Sequence, residues 1–139
     1  MMTEIKNVFD ISGRAMASQL VRLNTVASNL ANAGTISGSK EEAYRSLKPV
    51  FATQFSNAIE RNGVSTVDVV GIEAITRDPE RVFMPNHPSA DGDGYVYRAA
   101  VDENEEMIEM VEASRQYQNN VEVISTLRGL MMRTINMGK

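Results

Sequence analysis

The stretch from Asp102 to Gly138 constrains this chain more than any other. Met107, Met110, Ser114, Tyr117, Val121, Ile124, Arg128, Met131 and Ile135 recur in alternating steps of three and four. That is the seam of an amphipathic helix, widened by Val111, Ala113, Leu127 and Thr134. Asp102 stands at its start as a cap, with Glu105 three residues on in the capping-box relation. Acidic residues crowd the first turns and basic residues the last, so both ends suit the helix dipole. No proline interrupts it, and Gly129 is its one weak position. At 1.5 Å per residue the helix is about 50 Å long. A compact globule of this chain length is roughly 37 Å across. The helix therefore overhangs its own domain: a second helix must run alongside, or the exposed stripe must meet another molecule.

The second helix is legible near the other end. Phe9, Gly13, Met16, Leu20, Leu23, Ala27 and Leu30 form a heptad seam, and Gly34 is placed to stop it. The spacing predicts a helix over 5–33, about 43 Å long. Its opposite face carries Ser18, Thr25 and Asn32, with Ser28 and Asn29 beside them, and no charged residue occurs from Leu23 through Ser39. A solvated helix face normally carries Glu and Lys, so this face is expected to be buried against polar partners. Paired, the two helices are expected to bury Leu20, Leu23, Leu30, Val121, Ile124 and Ile135, leaving their uncharged backs to neighbouring molecules.

Between the helices the pattern changes. Thr35 to Lys40 reads as a loop, and Glu41 to Ser46 as a possible helical turn. Lys48 to Phe55 alternates as a strand entered through Pro49. A turn is predicted at Asn62-Gly63, then Val64 to Thr76 is the strongest β segment, with Gly71 marking a bulge or a break. Asp78-Pro79 reads as a turn, Arg81 to Met84 as a short strand, Asp91-Gly92-Asp93-Gly94 as a tight turn, and Tyr95 to Tyr97 as another short strand. The predicted fold is α+β: long N- and C-terminal helices packed as a coiled-coil-like pair, with a small β-rich module inserted between them. The expected divisions are 1–34, 35–101 and 102–139.

Chemistry finds little purchase. There is no cysteine, and the net charge of −4 forms no basic patch for nucleic acid. No apolar run is long enough to span a membrane, and Met1 to Asp10 lacks the character of a Sec signal. His87 with Asp91 and Asp93 invites a metal-dependent hydrolase reading, and the DGDG turn echoes a calcium loop. Tyr95 and Val96 break the EF-hand pattern. A polar turn accounts for all three. Glu105, Glu106 and Glu109 cluster at one helix end, where the helix dipole is a sufficient account. No nucleophile motif or phosphate loop is present; neither an enzymatic activity nor a cofactor is expected. The nine methionines suit cores and surfaces that accept non-identical neighbours.

Leu23-Asn24-Thr25-Val26-Ala27-Ser28-Asn29-Leu30-Ala31-Asn32-Ala33 resembles the N-terminal signature of the rod and hook family of bacterial flagellar axial proteins. Glu105-Glu106-Met107, then Glu112 to Asn120, resemble its second signature, and Leu130 to Thr134 fits its ending. Asn120 departs from the family's frequent Ala-Asn, a matter of packing detail. The short length, Phe9 to Gly13 and Pro85 to Val96 resemble a proximal-rod member in particular. The resemblance implies a subunit of the drive shaft that links the inner-membrane ring to the hook and transmits torque. It implies contacts with copies of itself, other rod proteins, and membrane-ring and hook-side axial neighbours. It also implies passage through the flagellar type III export apparatus into the periplasm, which explains the missing Sec signal. The expected assembly interface is Met16, Leu20, Leu23, Ala27, Asn29, Leu30 and Asn32 on the first helix. On the second it is Met110, Tyr117, Asn120, Val121, Ile124, Met131 and Ile135. The ends are expected to be loose in the free chain and to order on assembly. A secreted coiled-coil adaptor binding a single partner helix is the alternative.

Overall fold

A computed structural model describes residues 2–54 and 66–139. Helix α1 runs Met2–Asn32, strands follow at β1 (Ile36–Ser37), β2 (Leu47–Gln54), β3 (Thr66–Ala74), β4 (Arg81–Phe83) and β5 (Tyr95–Arg98), and helix α2 runs Glu103–Met137. The α+β architecture is the predicted one, with both helices ending within three residues of their expected bounds. Asp102 caps α2, its carboxylate accepting from the N–H groups of Asn104 and Glu105.

The helices pack antiparallel. The end of α1 and the start of α2 meet at the sheets, where Ala99 N–H donates to Thr35 O at 3.0 Å. Further along, Arg22 Nε donates to Glu109 Oε2 at 2.9 Å. This fixes the offset: Met2 lies roughly level with Gly129, and α2 continues about two turns beyond it.

The strands form two antiparallel sheets, β1–β5–β4 and the hairpin β2–β3. Thr35 to Lys40, read as a loop, contains β1, because Ile36 and Ser37 pair with Arg98 and Tyr97. Two residues are too few to leave a periodic signal. Residues 41–46 form a turn and bend with no helix. In the hairpin, Val50 faces Gly71 and Phe51 faces Val69, so Val70 is the extra residue of a bulge. Gly71 thus flanks a bulge within one strand rather than a break. The predicted turn at Asn62-Gly63, and the strand ends at Phe55 and Val64, lie outside the described residues.

Val96, fully buried, centres the three-stranded sheet, with Ala99 and Ala100 beside it. The Phe83 and Tyr95 rings meet edge to face at 5.1 Å, and Arg81 lies 3.8 Å over the Tyr95 ring. The DGDG turn is built by Asp91, whose Oδ1 accepts from the N–H groups of Asp93 and Tyr95. Gly94 follows at φ +80°, where a Cβ would lie 3.0 Å from Phe83. His87 Nδ1 accepts from Ser89 N–H. These residues shape a loop, and among the described residues no group of three metal-binding side chains converges.

Candidate assembly surface

The inward column of α2 is Glu106, Met110, Ala113, Tyr117, Asn120, Ile124, Leu127 and Met131, all buried or half-buried. One half of the predicted seam holds (Met110, Tyr117, Ile124, Met131). Elsewhere the seam is shifted by one residue: Met107, Val121 and Arg128 are exposed while Glu106, Asn120 and Leu127 take the inner places, and Ile135 is exposed with no inner replacement. The physical reason is local. Ala113 is completely buried, and a residue this small lets the helices approach closely. Glu106, only 3% exposed, is tolerated because Ser46 Oγ donates to its carboxylate.

On α1 the inversion is larger. Ser12, Ser18, Thr25, Val26 and Asn29 are buried. Met16, Leu23, Leu30 and Asn32 are half-buried, and Leu20 (45% exposed) and Ala27 face outward. Of the small polar face expected to be buried, Ser18, Thr25 and Asn29 are, Asn32 is half-buried and Ser28 is exposed; Ser18 and Asn29 meet the chain's own β2–β3 hairpin rather than another molecule. Ser18 Oγ donates to Val67 O at 3.3 Å, and Asn29 bonds both the N–H and the C=O of Leu47. Asn29 is thus enclosed by its own chain. The expectation that pairing buries Leu20, Val121 and Ile135 is corrected: all three remain exposed.

The acidic start of α2 does more than oppose a dipole. Lys48 Nζ and Arg77 Nη2 each lie 2.9 Å from the Glu105 carboxylate. Those two cations, Lys48 first, hold the Glu105 carboxyl below its ordinary range, and Glu105 raises Arg77 in return. Arg22 pairs with Glu109 and lies 3.7 Å from Glu112. On the hairpin side, Arg14 reaches Asp68 at 3.0 Å. These contacts tie α2 to both α1 and the hairpin base. Arg22, the one charged residue between positions 15 and 39, was the available signal for this docking.

What remains uncovered is apolar. Met107, Ile108 and Val111 form an exposed patch on α2 framed by Glu112, Arg115 and Gln116. Ile108 is 68% exposed. A second shallow groove further along is lined by Asn119, Glu122, Val123, Thr126 and Leu127. Leu130, Met132, Ile135 and Met137 continue the exposed apolar surface to the end of the helix. No helix among the described residues is long and apolar enough to cross a membrane. A run of large apolar side chains in water marks a contact surface.

Long antiparallel end helices, a small β module packed against them and uncovered apolar columns make an elongated subunit whose exposed surface suits contact with other molecules. The "Flagella basal body rod protein" family matches residues 9–35, within and just past α1, and "Flagellar basal body rod FlgEFG protein C-terminal" matches residues 93–137, spanning β5 to the end of α2. The flagellar basal-body rod proteins FlgC of Yersinia enterocolitica and Salmonella typhimurium are each 40% identical over 134 residues, covering 96% of this chain and 97% of the relative. That of Buchnera aphidicola (strain APS) is 33% identical over 136 residues. The chain belongs to the FlgC family and is a structural subunit of the basal-body rod.

Proposed function

We propose that the subunit joins the rod through the apolar surface its helix pair leaves uncovered, and that the small polar face of α1 serves its own hairpin. The observation that carries this is the exposure of Met107, Ile108, Val111, Leu130 and Met132 after α1 and α2 have paired. Each large side chain of this kind is worth about 1.5–3 kcal/mol on burial, so a few of them suffice for a contact that resists shear. In this reading residues 1–34 and 102–139 are the assembly units and residues 35–101 a module they carry. Leu20 and Ala27 on α1, and Val121 and Ile135 on α2, join the contact surface. Met16, Leu23, Leu30, Asn32, Met110, Tyr117, Asn120, Ile124 and Met131 back it from the interior. Copies of this chain, other rod proteins, and membrane-ring and hook-side axial subunits are the partners. A heterologous contact repeated without closure gives a helical shaft, the form that transmits torque. The type III apparatus is the route by which the chain reaches the periplasm.

The test is the double substitution Ile108→Glu and Val111→Glu. Both side chains are exposed, so circular dichroism and thermal melting should match the parent protein, with stability changed by about 0.5 kcal/mol or less. Export into the periplasm should continue, while co-sedimentation with partner rod proteins and motility are lost. Normal motility with both glutamates in place would overturn the proposal.

A further inference from the structure

Residues 44–48 are gripped from four directions. Ser46 N–H donates to Ala100 O at 3.3 Å, and Ile75 N–H donates to Ser46 O at 2.8 Å. The Ser46 hydroxyl turns to Glu106 on α2. The next residue, Leu47, turns the other way, to α1. Its N–H donates to Asn29 Oδ1 at 2.9 Å, and its carbonyl accepts from Asn29 Nδ2 at 2.8 Å. Tyr44 Oη donates to the same Oδ1 at 2.9 Å. Asn29 is 0% exposed.

A carboxamide carries one acceptor and donors in the same plane, as a peptide group does. At Leu47 the Asn29 side chain therefore occupies the position of a residue on a neighbouring strand, exchanging both bonds as paired antiparallel residues do. Aspartate has the reach without the donor. Glutamine has the donor with one methylene too many. Serine has neither the reach nor two separate groups.

Among the described residues, no other hydrogen bonds between α1 and the hairpin are as enclosed. Its outer ties are the Arg14–Asp68 pair, with Arg14 half exposed, and the single bond from Ser18 to Val67. A solvent-exposed ion pair contributes little. Phe51, Val67, Val70 and Ile72 on the hairpin are exposed and Leu47, Pro49, Val50 and Val69 only half-buried, so apolar burial supplies part of its hold and no specific register. We infer that Asn29 is a positioning residue that seats the β2–β3 hairpin on α1, and so fixes the direction in which the hairpin's exposed apolar side chains point. This stands apart from the assembly reading, since every contact lies within one chain.

Hydrogen exchange on the full-length protein tests it, comparing the parent with Asn29→Ala, Asn29→Asp and Tyr44→Phe. Asn29→Ala leaves both Leu47 groups without partners and Asn29→Asp sets a carboxylate oxygen against the Leu47 carbonyl, so exchange in β2 and β3 should speed up about tenfold to hundredfold in each. Helix amides around Arg22 and Glu109 should keep their protection. Tyr44→Phe removes only the third bond and should leave the hairpin protected. If Asn29→Ala does not fold, Asn29→Asp decides the matter. Unchanged hairpin protection in Asn29→Asp would overturn the inference. So would a uniform loss across hairpin and helices, or failure of both variants to fold, because Asn29 would then serve the whole fold rather than the hairpin's seat.

Discussion

Ser46 and Glu106 offer the sharpest quantitative test of how the helix pair is joined to the sheets. Ser46 is 1% exposed and Glu106 is 3% exposed, and the serine hydroxyl donates to the carboxylate. Replacing Ser46 with alanine removes that donor and leaves a buried acceptor short of a partner. Hydrogen bonds to charged groups are worth about 1.5–3 kcal/mol. At a urea dependence of about 2 kcal/mol per molar, the unfolding midpoint should fall by roughly 1 M with an unchanged slope. Glu106→Leu alone strands the Ser46 hydroxyl instead. The double variant Ser46→Ala/Glu106→Leu replaces both partners with apolar groups and should regain most of the loss. The four proteins make a double-mutant cycle, and its coupling should be about 2 kcal/mol. A coupling below about 0.5 kcal/mol, within the scatter of independent sites, would refute the claim that this bond joins α2 to the sheets.

Three further outcomes follow from the same geometry. Glu105 sits below its ordinary range because of Lys48 and Arg77, and Asp91 because of the Tyr95 N–H before all else. The stability they contribute is complete above the unfolded carboxylate values of about 4 and drains as pH falls through their lower folded values. Urea midpoints measured from pH 6 to pH 3 should decline, and Glu105→Gln should flatten that decline. Gly94→Ala should cost at least about 1 kcal/mol by thermal unfolding, since it adds a Cβ at φ +80° within 3.0 Å of Phe83. In the free chain, amide exchange should be slowest at residues 22–32 and 104–113, where the ion pairs and Asn29 converge. It should be fastest at residues 2–10 and 125–137, where α2 has no fully buried residue.

Both helices were legible because helical periodicity holds along each of them, and α2 also carries an acidic start and a capping aspartate. Individual places on those helices were less so. Hydropathy puts Leu20, Met107 and Val121 inside and Glu106 outside, and the fold does the reverse; Ser18 and Asn29 are buried, as the uncharged face predicts. The small and polar residues hold interior places through partners that are remote in sequence: Leu47 for Asn29, Ser46 for Glu106, Val67 for Ser18. Periodicity carries no information about such partners. The apolar residues left outside lie on the surface proposed to meet other rod subunits, and in that reading the assumption that apolar means internal fails for a physical reason. Strand β1 was missed because two residues give no alternation to read. The bulge beside Gly71 was visible because a glycine weakens a valine-rich strand and so marks the point where regular pairing gives way.

Because α1 and α2 run in opposite directions from a common junction, the start of α1 and the end of α2 share one extremity, while the β1–β5–β4 sheet lies at the other and the hairpin runs back along α1 as far as Arg14. A fluorophore or affinity handle fused to either terminus would therefore probe the same surroundings. Two such fusions should interfere with the shaft together or be accommodated together, while a graft into a loop of the β1–β5–β4 sheet would sit some 40–50 Å away, by the rise of the helices.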